Sequence, residues 1–277
     1  MKTIETKAKG ITINAELFTG INDFLAVYED KPTSEAYKEH DTVAHLQDEV
    51  YTESRQDFTG VEGYEDAVNK FRNGVNVNAI KTARAAAVTG MKRRVKHSVC
   101  GGRVSVPSYL SGSPACMRRS AKMPAKTELN VVVDTSVHCG VSAEQITKAG
   151  QTIVQYITDL EARYNVNLHA VVSISFEQKS RGGYKDAYVC GIKIKDAGKP
   201  FSAARVSFCL TSAAFLRVFG FLFITRKENV PFSFGLGYPT SNEIEQERDV
   251  MNALYKNAVL VSLAEVVRRG EKGLPTA

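Results

Sequence analysis

Lys92, Arg93, Arg94, Lys96, Arg103, Arg118, Arg119, Lys122 and Lys126 follow one another with no acid between them, and Tyr109 and several glycines are interleaved. This mixture suits a polyanion. Cations neutralise phosphates and release counterions, glycine lets the backbone approach closely, and an aromatic face can stack a base. The segment stands out when the charge is cut along the chain. Residues 1–66 hold 15 acids and 6 bases, residues 67–127 hold 13 bases and no acid, and residues 128–277 hold 15 acids and 17 bases, which returns the net charge of +6. A second, smaller group, Arg181, Tyr184 and Lys185 around two glycines, repeats the composition. The competing reading of the same cations is a solvated surface, or one that pairs with the acidic first third of the chain or with a partner protein.

Other residues with chemical potential are less well arranged. His97-x-x-Cys100 followed by Cys116 supplies three soft ligands, with His138 or Cys139 as a fourth, but the second half of a zinc site lacks its pair. Cys139 beside His138 invites a nucleophile reading, yet no acid is placed to orient the imidazole. No phosphate-binding Gly-x-x-x-x-Gly-Lys-Ser/Thr loop and no Gly-x-Gly-x-x-Gly occurs. The sequence therefore predicts no enzyme and no cofactor.

The elements that must position these residues divide the chain into three. Residues 1–90 are expected to form an acidic, mostly helical region, with helices over Phe18–Tyr28, Tyr64–Phe71 and Val77–Val88 and a loop around Pro32. Residues 91–126, with Gly101, Gly102, Pro107, Gly112, Pro114 and Pro124, read as an irregular basic arm. Residues 127–277 read as an α/β domain. Its expected strands are Leu129–Val133, Leu168–Phe176, Ala187–Ile194, Phe221–Thr225 and Ala258–Leu263. Its expected helices run from Ser142 to Tyr164, Ala203 to Phe219 and Glu243 to Tyr255, the first opened by the capping pattern Ser142-Ala-Glu-Gln145. Apolar residues make up 43% of the chain, enough for a real core. The longest apolar stretch, Phe208–Ile224, is interrupted by Thr211, Ser212, Arg217 and Gly220, so no membrane span is expected. Met1–Gly10 is followed by no apolar run of the secretory kind, and five scattered cysteines favour reduced thiols. A cytoplasmic location is expected, the host cytoplasm if the protein is viral.

A strand ending in Asp134-Thr-Ser136, then a turn, a long helix and further strands and helices, resembles a von Willebrand A-like α/β domain over roughly 127–270, with a Rossmann-like sheet and flanking helices. That resemblance implies a divalent-ion motif, Asp-x-Ser-x-Ser, of which Asp134 and Ser136 are present while His138 occupies the fifth position. Two passages, Val104-Ser-Val-Pro-Ser-Tyr-Leu-Ser-Gly-Ser-Pro-Ala-Cys-Met-Arg118 and Leu129–Ser136 with Gly140–Gln145, resemble a family of tailed-phage proteins. In size and charge the chain is similar to the single-stranded-DNA-binding cofactors, called Drc, that recruit a phage RNA polymerase to middle promoters. The resemblance implies single-stranded DNA and a phage RNA polymerase as partners. Lys92, Arg93, Arg94, Arg118 and Arg119 would grip phosphates, and Tyr109 or Tyr184 would stack a base. Oligomerisation stays open. The alternative is a von Willebrand A-like protein-interaction module in a phage assembly.

Overall fold

The computed structural model describes residues 1–28, 53–75, 95–100, 103–120, 126–178, 184–199, 203–227, 238–240 and 244–276. The chain opens with a hairpin of β1 (Lys2–Ala8) and β2 (Ile11–Phe18), joined by Lys9 and Gly10 at φ of 44° and 83°. Two successive residues at positive φ give the tight turn whose twist matches that of the paired strands. Ile11, Ile13 and Ala15 alternate with polar residues and are buried on one face. The expectation of a mostly helical N-terminal region therefore fails for these residues. Their period of two, with no helical spacing, is the physical reason.

Helices α1 (Ile21–Tyr28), α2 (Glu53–Thr59) and α3 (Tyr64–Asn73) follow, the first and third close to where their apolar spacing predicts them. Over its described residues, 95–100 and 103–120, the basic segment is not irregular. β3 (Val95–Ser98), β4 (Arg103–Val104), helix α4 (Val106–Leu110) and β5 (Met117–Ser120) build a small antiparallel sheet of order β3-β5-β4. Pro107 lies in the first turn of α4, and Gly112, at φ 70°, follows its end. The expected helix Val77–Val88, and Lys92, Arg93, Arg94, Lys122 and Arg181, lie outside the described residues.

The α/β part begins with β6 (Glu128–Asp134), the long α5 (Ala143–Arg163), β7 (Asn165–Gln178) and β8 (Tyr184–Lys195). The capping box of Ser142 and Gln145 forms as expected. After α6 (Ala203–Thr211) comes a π-helical turn, Phe215–Gly220, and then α7 (Phe221–Thr225), where a strand was expected. This stretch is buried nearly all round and rich in Phe and Leu, so neither period shows, and it continues as helix within a cluster of Phe24, Phe71, Phe208 and Phe219. β9 (Tyr238–Pro239), α8 (Ile244–Leu254), β10 (Val259–Ser262) and α9 (Leu263–Arg269) complete the described elements.

The main sheet is mixed, in the order β1-β2-β8-β7-β6-β10, with β9 paired to β7. β6, β7 and β10 run parallel, while β8 and β2 run the other way. Side-chain alternation sends Val131, Val133, Ala170 and Val172 toward the helical layer that contains α1, α3, α5 and α6. Val132, Val171 and Val189 point to the opposite face, where Val250 and Met251 of α8 cover them. Helix α5 approaches α6 so closely that a Cβ on Gly150 would lie 2.0 Å from the Leu210 carbonyl oxygen.

Candidate functional site

Two places concentrate polar side chains. The first is the carboxyl end of β6. β7 continues past that end, and β9 pairs with it there through Ile174 and Pro239, which carries Thr240 over Asp134. Asp134 Oδ1 accepts the Ser136 N–H at 2.9 Å, and Oδ2 accepts the hydroxyls of Ser173 and, at 3.3 Å, Thr240. Ser136 Oγ accepts the Ser173 N–H at 2.7 Å. All four residues are fully buried. Glu247 reaches the same group from the buried face of α8, and Ser262 at the end of β10 is the register partner of Asp134.

Burial raises the pKa of Asp134, and the surrounding donors oppose that rise. Glu247 has no comparable set of donors. Burial first, then the adjacent Asp134, pushes its carboxyl up to about 8. Both carboxyls are raised and they titrate as a pair, which therefore holds a proton at neutral pH. Glu247 Oε1 is buried without a hydrogen-bond partner among the described residues. Glu265, nearby on α9, pairs with Arg268 and with Arg269 at 3.3 Å.

Oxygen donors of this kind are what a hard divalent ion takes. In this arrangement the residues do not fit one. Both Asp134 oxygens and the Ser136 hydroxyl already serve protein groups, neither residue is exposed, and the carboxylate pair keeps a proton. His138, in the fifth position of the motif, is exposed, and its Nδ1 accepts the Gly140 N–H at 3.1 Å. That bond occupies Nδ1, 3.8 Å from the Cys139 sulfur, and leaves Nε2, 3.9 Å from it, as the other ring nitrogen near the thiol. The loop is held from below by Arg217, in the π-helical turn. Its guanidinium is buried, donates to the carbonyls of Phe58, Cys139 and Val141, and lies 4.0 Å over the Phe58 ring.

The second place is the basic module. β5 is central, and its Arg118 is the register partner of His97 on β3 and of Arg103 on β4. Directly opposed residues share a face, so His97, Arg118 and Arg103 form one row across three strands. All three are exposed. His97 Nδ1 is 3.1 Å from the Ser108 hydroxyl, which ties α4 to the sheet. Among the described residues no acid pairs with Arg103 or Arg118. Tyr109 and Leu110 on α4 are 66% and 78% exposed, and Val99, Val104 and Val106 are exposed beside them in sequence.

The remaining predicted residues divide. Lys96 and Arg119 are register partners in the same small sheet. Tyr184 and Lys185 open β8, away from that sheet in sequence and in strand pairing. Lys126 donates to the Glu161 carbonyl in the last turn of α5 and belongs to the α/β part. His97, Cys100, Cys116, His138 and Cys139 do not form a ligand set: among the described residues no three His, Cys, Asp or Glu side chains are grouped to hold a metal. The five cysteines are free thiols. No described helix is long and apolar enough to cross a membrane.

Sequence reasoning missed Ser173, Thr240, Glu247 and Arg217. A signal existed for Glu247, three and four residues before Val250 and Met251 on an amphipathic helix, and for Ser173 and Ser175 inside an apolar strand. Thr240 follows a two-residue strand and had none. No curated protein and no solved structure matches the chain. A family model described as a domain of unknown function, DUF7192, matches residues 5–263, a span that takes in the hairpin, the basic module and the sheet through β10, and the chain belongs to that family.

Proposed function

We propose that this protein is a non-catalytic, single-stranded-nucleic-acid-binding protein, phage-encoded, that grips its ligand with the basic module and serves as a cofactor recruiting a polymerase. The observation that carries the reading is the row His97, Arg118 and Arg103. Like charges set directly opposite each other across strands repel, at a cost of a few tenths of a kcal/mol to about 1 kcal/mol. Such a row is suited to an anion that lies along it. A phosphate backbone supplies charges at regular spacing, and Tyr109, exposed on the adjoining helix, offers a face on which an unpaired base can stack. Duplex DNA presents no free base faces, which favours the single-stranded form. Recruitment of a polymerase rests on the phage resemblance.

Fluorescence anisotropy with oligo-dT, duplex DNA and RNA over a range of salt tests this reading. With five or more cations engaged, the log–log salt slope for oligo-dT is expected near −3.5 or steeper, from about 0.7 per phosphate contact. A flat slope with preserved affinity would remove the electrostatic mechanism.

A second reading, a von Willebrand A-like interaction module, is favoured by the order β8-β7-β6-β10 with Asp134-Thr-Ser136 at the carboxyl end of β6. The absence of any thermal shift on adding oligo-dT would favour it over the first.

A further inference from the structure

Helix α4 carries Val106, Tyr109 and Leu110 at positions i, i+3 and i+4, which places them on one face. Such a face ordinarily packs inward. Here all three side chains are exposed, and no residue of α4 is buried. What ties the helix to its small sheet is polar: the Ser105 N–H donates to the Cys116 carbonyl at 2.7 Å, the hydroxyls of Ser105 and Ser108 are 3.0 Å apart, and Ser108 meets His97. The apolar residues of α4 take no part in that anchorage.

Elsewhere the chain buries such groups. Among the described residues seven large apolar side chains are exposed, and five of them, Val99, Val104, Val106, Tyr109 and Leu110, fall within one stretch, residues 99–110. None of the five belongs to the apolar layer on either face of the main sheet. Large apolar groups gathered in this way mark a surface that another molecule covers.

The chemistry of the face selects its cover. Nucleic acid uses the cations and the ring of Tyr109, but an aliphatic side chain offers it neither charge nor a π-face, so Val99, Val104, Val106 and Leu110 are left unused. A second copy of the same face would set two acid-free segments, residues 67–127 with 13 bases each, against one another, and like charges oppose that. α4 is five residues long and carries no cation of its own, too little to seat in a bilayer interface. A polypeptide with acids beside apolar residues answers both halves of the surface. Its apolar side chains leave water against α4, and its carboxylates meet Arg103 and Arg118, which no described acid pairs.

We infer that the exposed face of α4 docks a segment of a partner protein in which acidic residues flank apolar ones. The inference stands on the aliphatic side chains and does not depend on the nucleic-acid reading.

Fluorescence anisotropy with the full chain at low salt tests it, the probe being a labelled peptide of about 16 residues, long enough to hold a helix, with Leu on one face and Glu on the other. Saturable binding with a Kd below about 1 mM is expected. Control peptides with Ser for Leu, or with Lys for Glu, should each bind at least about tenfold more weakly, since burial or charge complementarity is lost. Val106→Ser with Leu110→Ser in the protein should weaken the Glu–Leu peptide by at least about tenfold as well. Both side chains are exposed and neither grips phosphate, so the melting temperature and the oligo-dT affinity of this variant should hold. That keeps the two readings apart: a wild-type chain that ignores oligo-dT but binds the peptide retains the docking face and loses the nucleic-acid function. No peptide binding overturns the inference, as does equal binding of the Ser peptide, which would leave charge alone, or binding unchanged in the variant. It is equally overturned if the two substitutions instead abolish self-association in sedimentation, abolish pelleting with vesicles of phosphatidylcholine and phosphatidylglycerol, or make the N-terminal region sensitive to protease. Those results would assign the face to a second copy, to lipid or to the chain's own acidic first third.

Discussion

At the carboxyl end of β6, Asp134 is met by the Ser136 N–H, by two hydroxyls and by the carboxyl of Glu247, with which it shares a proton, all out of water. On the basic module, Arg103 and Arg118 face each other across two strands in water, and no described acid answers them. The two regions differ in where the complementary groups come from. In the first they come from the fold, which closes the cluster and makes it a stability element. In the second no described residue supplies them. A polar cluster signals a ligand when its own protein leaves it unanswered.

The comparison breaks most visibly at Asp134. Replacing it by Ala strands buried hydroxyl and N–H donors, and the expected loss is about 3 kcal/mol of unfolding free energy, read by urea denaturation. Oligo-dT affinity of the folded protein should stay the same. Intact stability with lost affinity would reverse the roles assigned to the two regions.

A pH series sharpens the same contrast. Glu247 has a folded pKa of about 8 against an ordinary value of 4.5, so between those values the folded state holds a proton that the unfolded chain has released. Its contribution to stability is therefore full below about pH 4.5, falls as pH rises and is lost above about 8, a change on the order of 5 kcal/mol. Glu247→Gln should flatten that part of the profile and raise the melting temperature at pH 8. An unchanged slope in the variant would show that the cluster does not hold its proton there.

On the module the effects should appear in binding alone. Arg103→Ala with Arg118→Ala is expected to weaken oligo-dT binding by at least tenfold, about 1.4 kcal/mol, with a shallower salt slope. The melting temperature should be unchanged or slightly higher, because a like-charge pair is removed. If the row pairs instead with the acidic residues of the first third, affinity will hold while the N-terminal region becomes more sensitive to protease.

The smallest expected effect belongs to Tyr109→Ala. Loss of one stacked base should cost about 1 kcal/mol of oligo-dT binding, with the salt slope preserved. A change in slope without a change in affinity at low salt would mean that Tyr109 positions the cations and does not touch a base.

Much of this architecture was legible residue by residue. The capping pattern at Ser142, the apolar face of α5 and the apolar run into Asp134 each determine an element through local physics, namely helix capping, a period of 3.6 and full burial of a strand. The Ile11, Ile13 and Ala15 alternation was equally readable, and the hairpin turn at Lys9 and Gly10 marks its start. The charge layout, with no acid from 67 to 127, also belongs to the sequence alone.

What only the tertiary structure decided is which distant residues meet. Asp134 and Glu247 are 113 positions apart, and the sequence assigns each a place on its own element but no distance between them. Their shared proton follows from burial, which strand pairing and the packing of α8 create together. The row His97, Arg118 and Arg103 likewise depends on register: a slip of one residue would turn these side chains to opposite faces and dissolve it. Composition fixed how much charge this chain carries. Pairing fixed which of it is answered within the protein, because Coulomb and hydrogen-bond energies depend on separation and burial, neither of which is a property of a residue's place in the sequence.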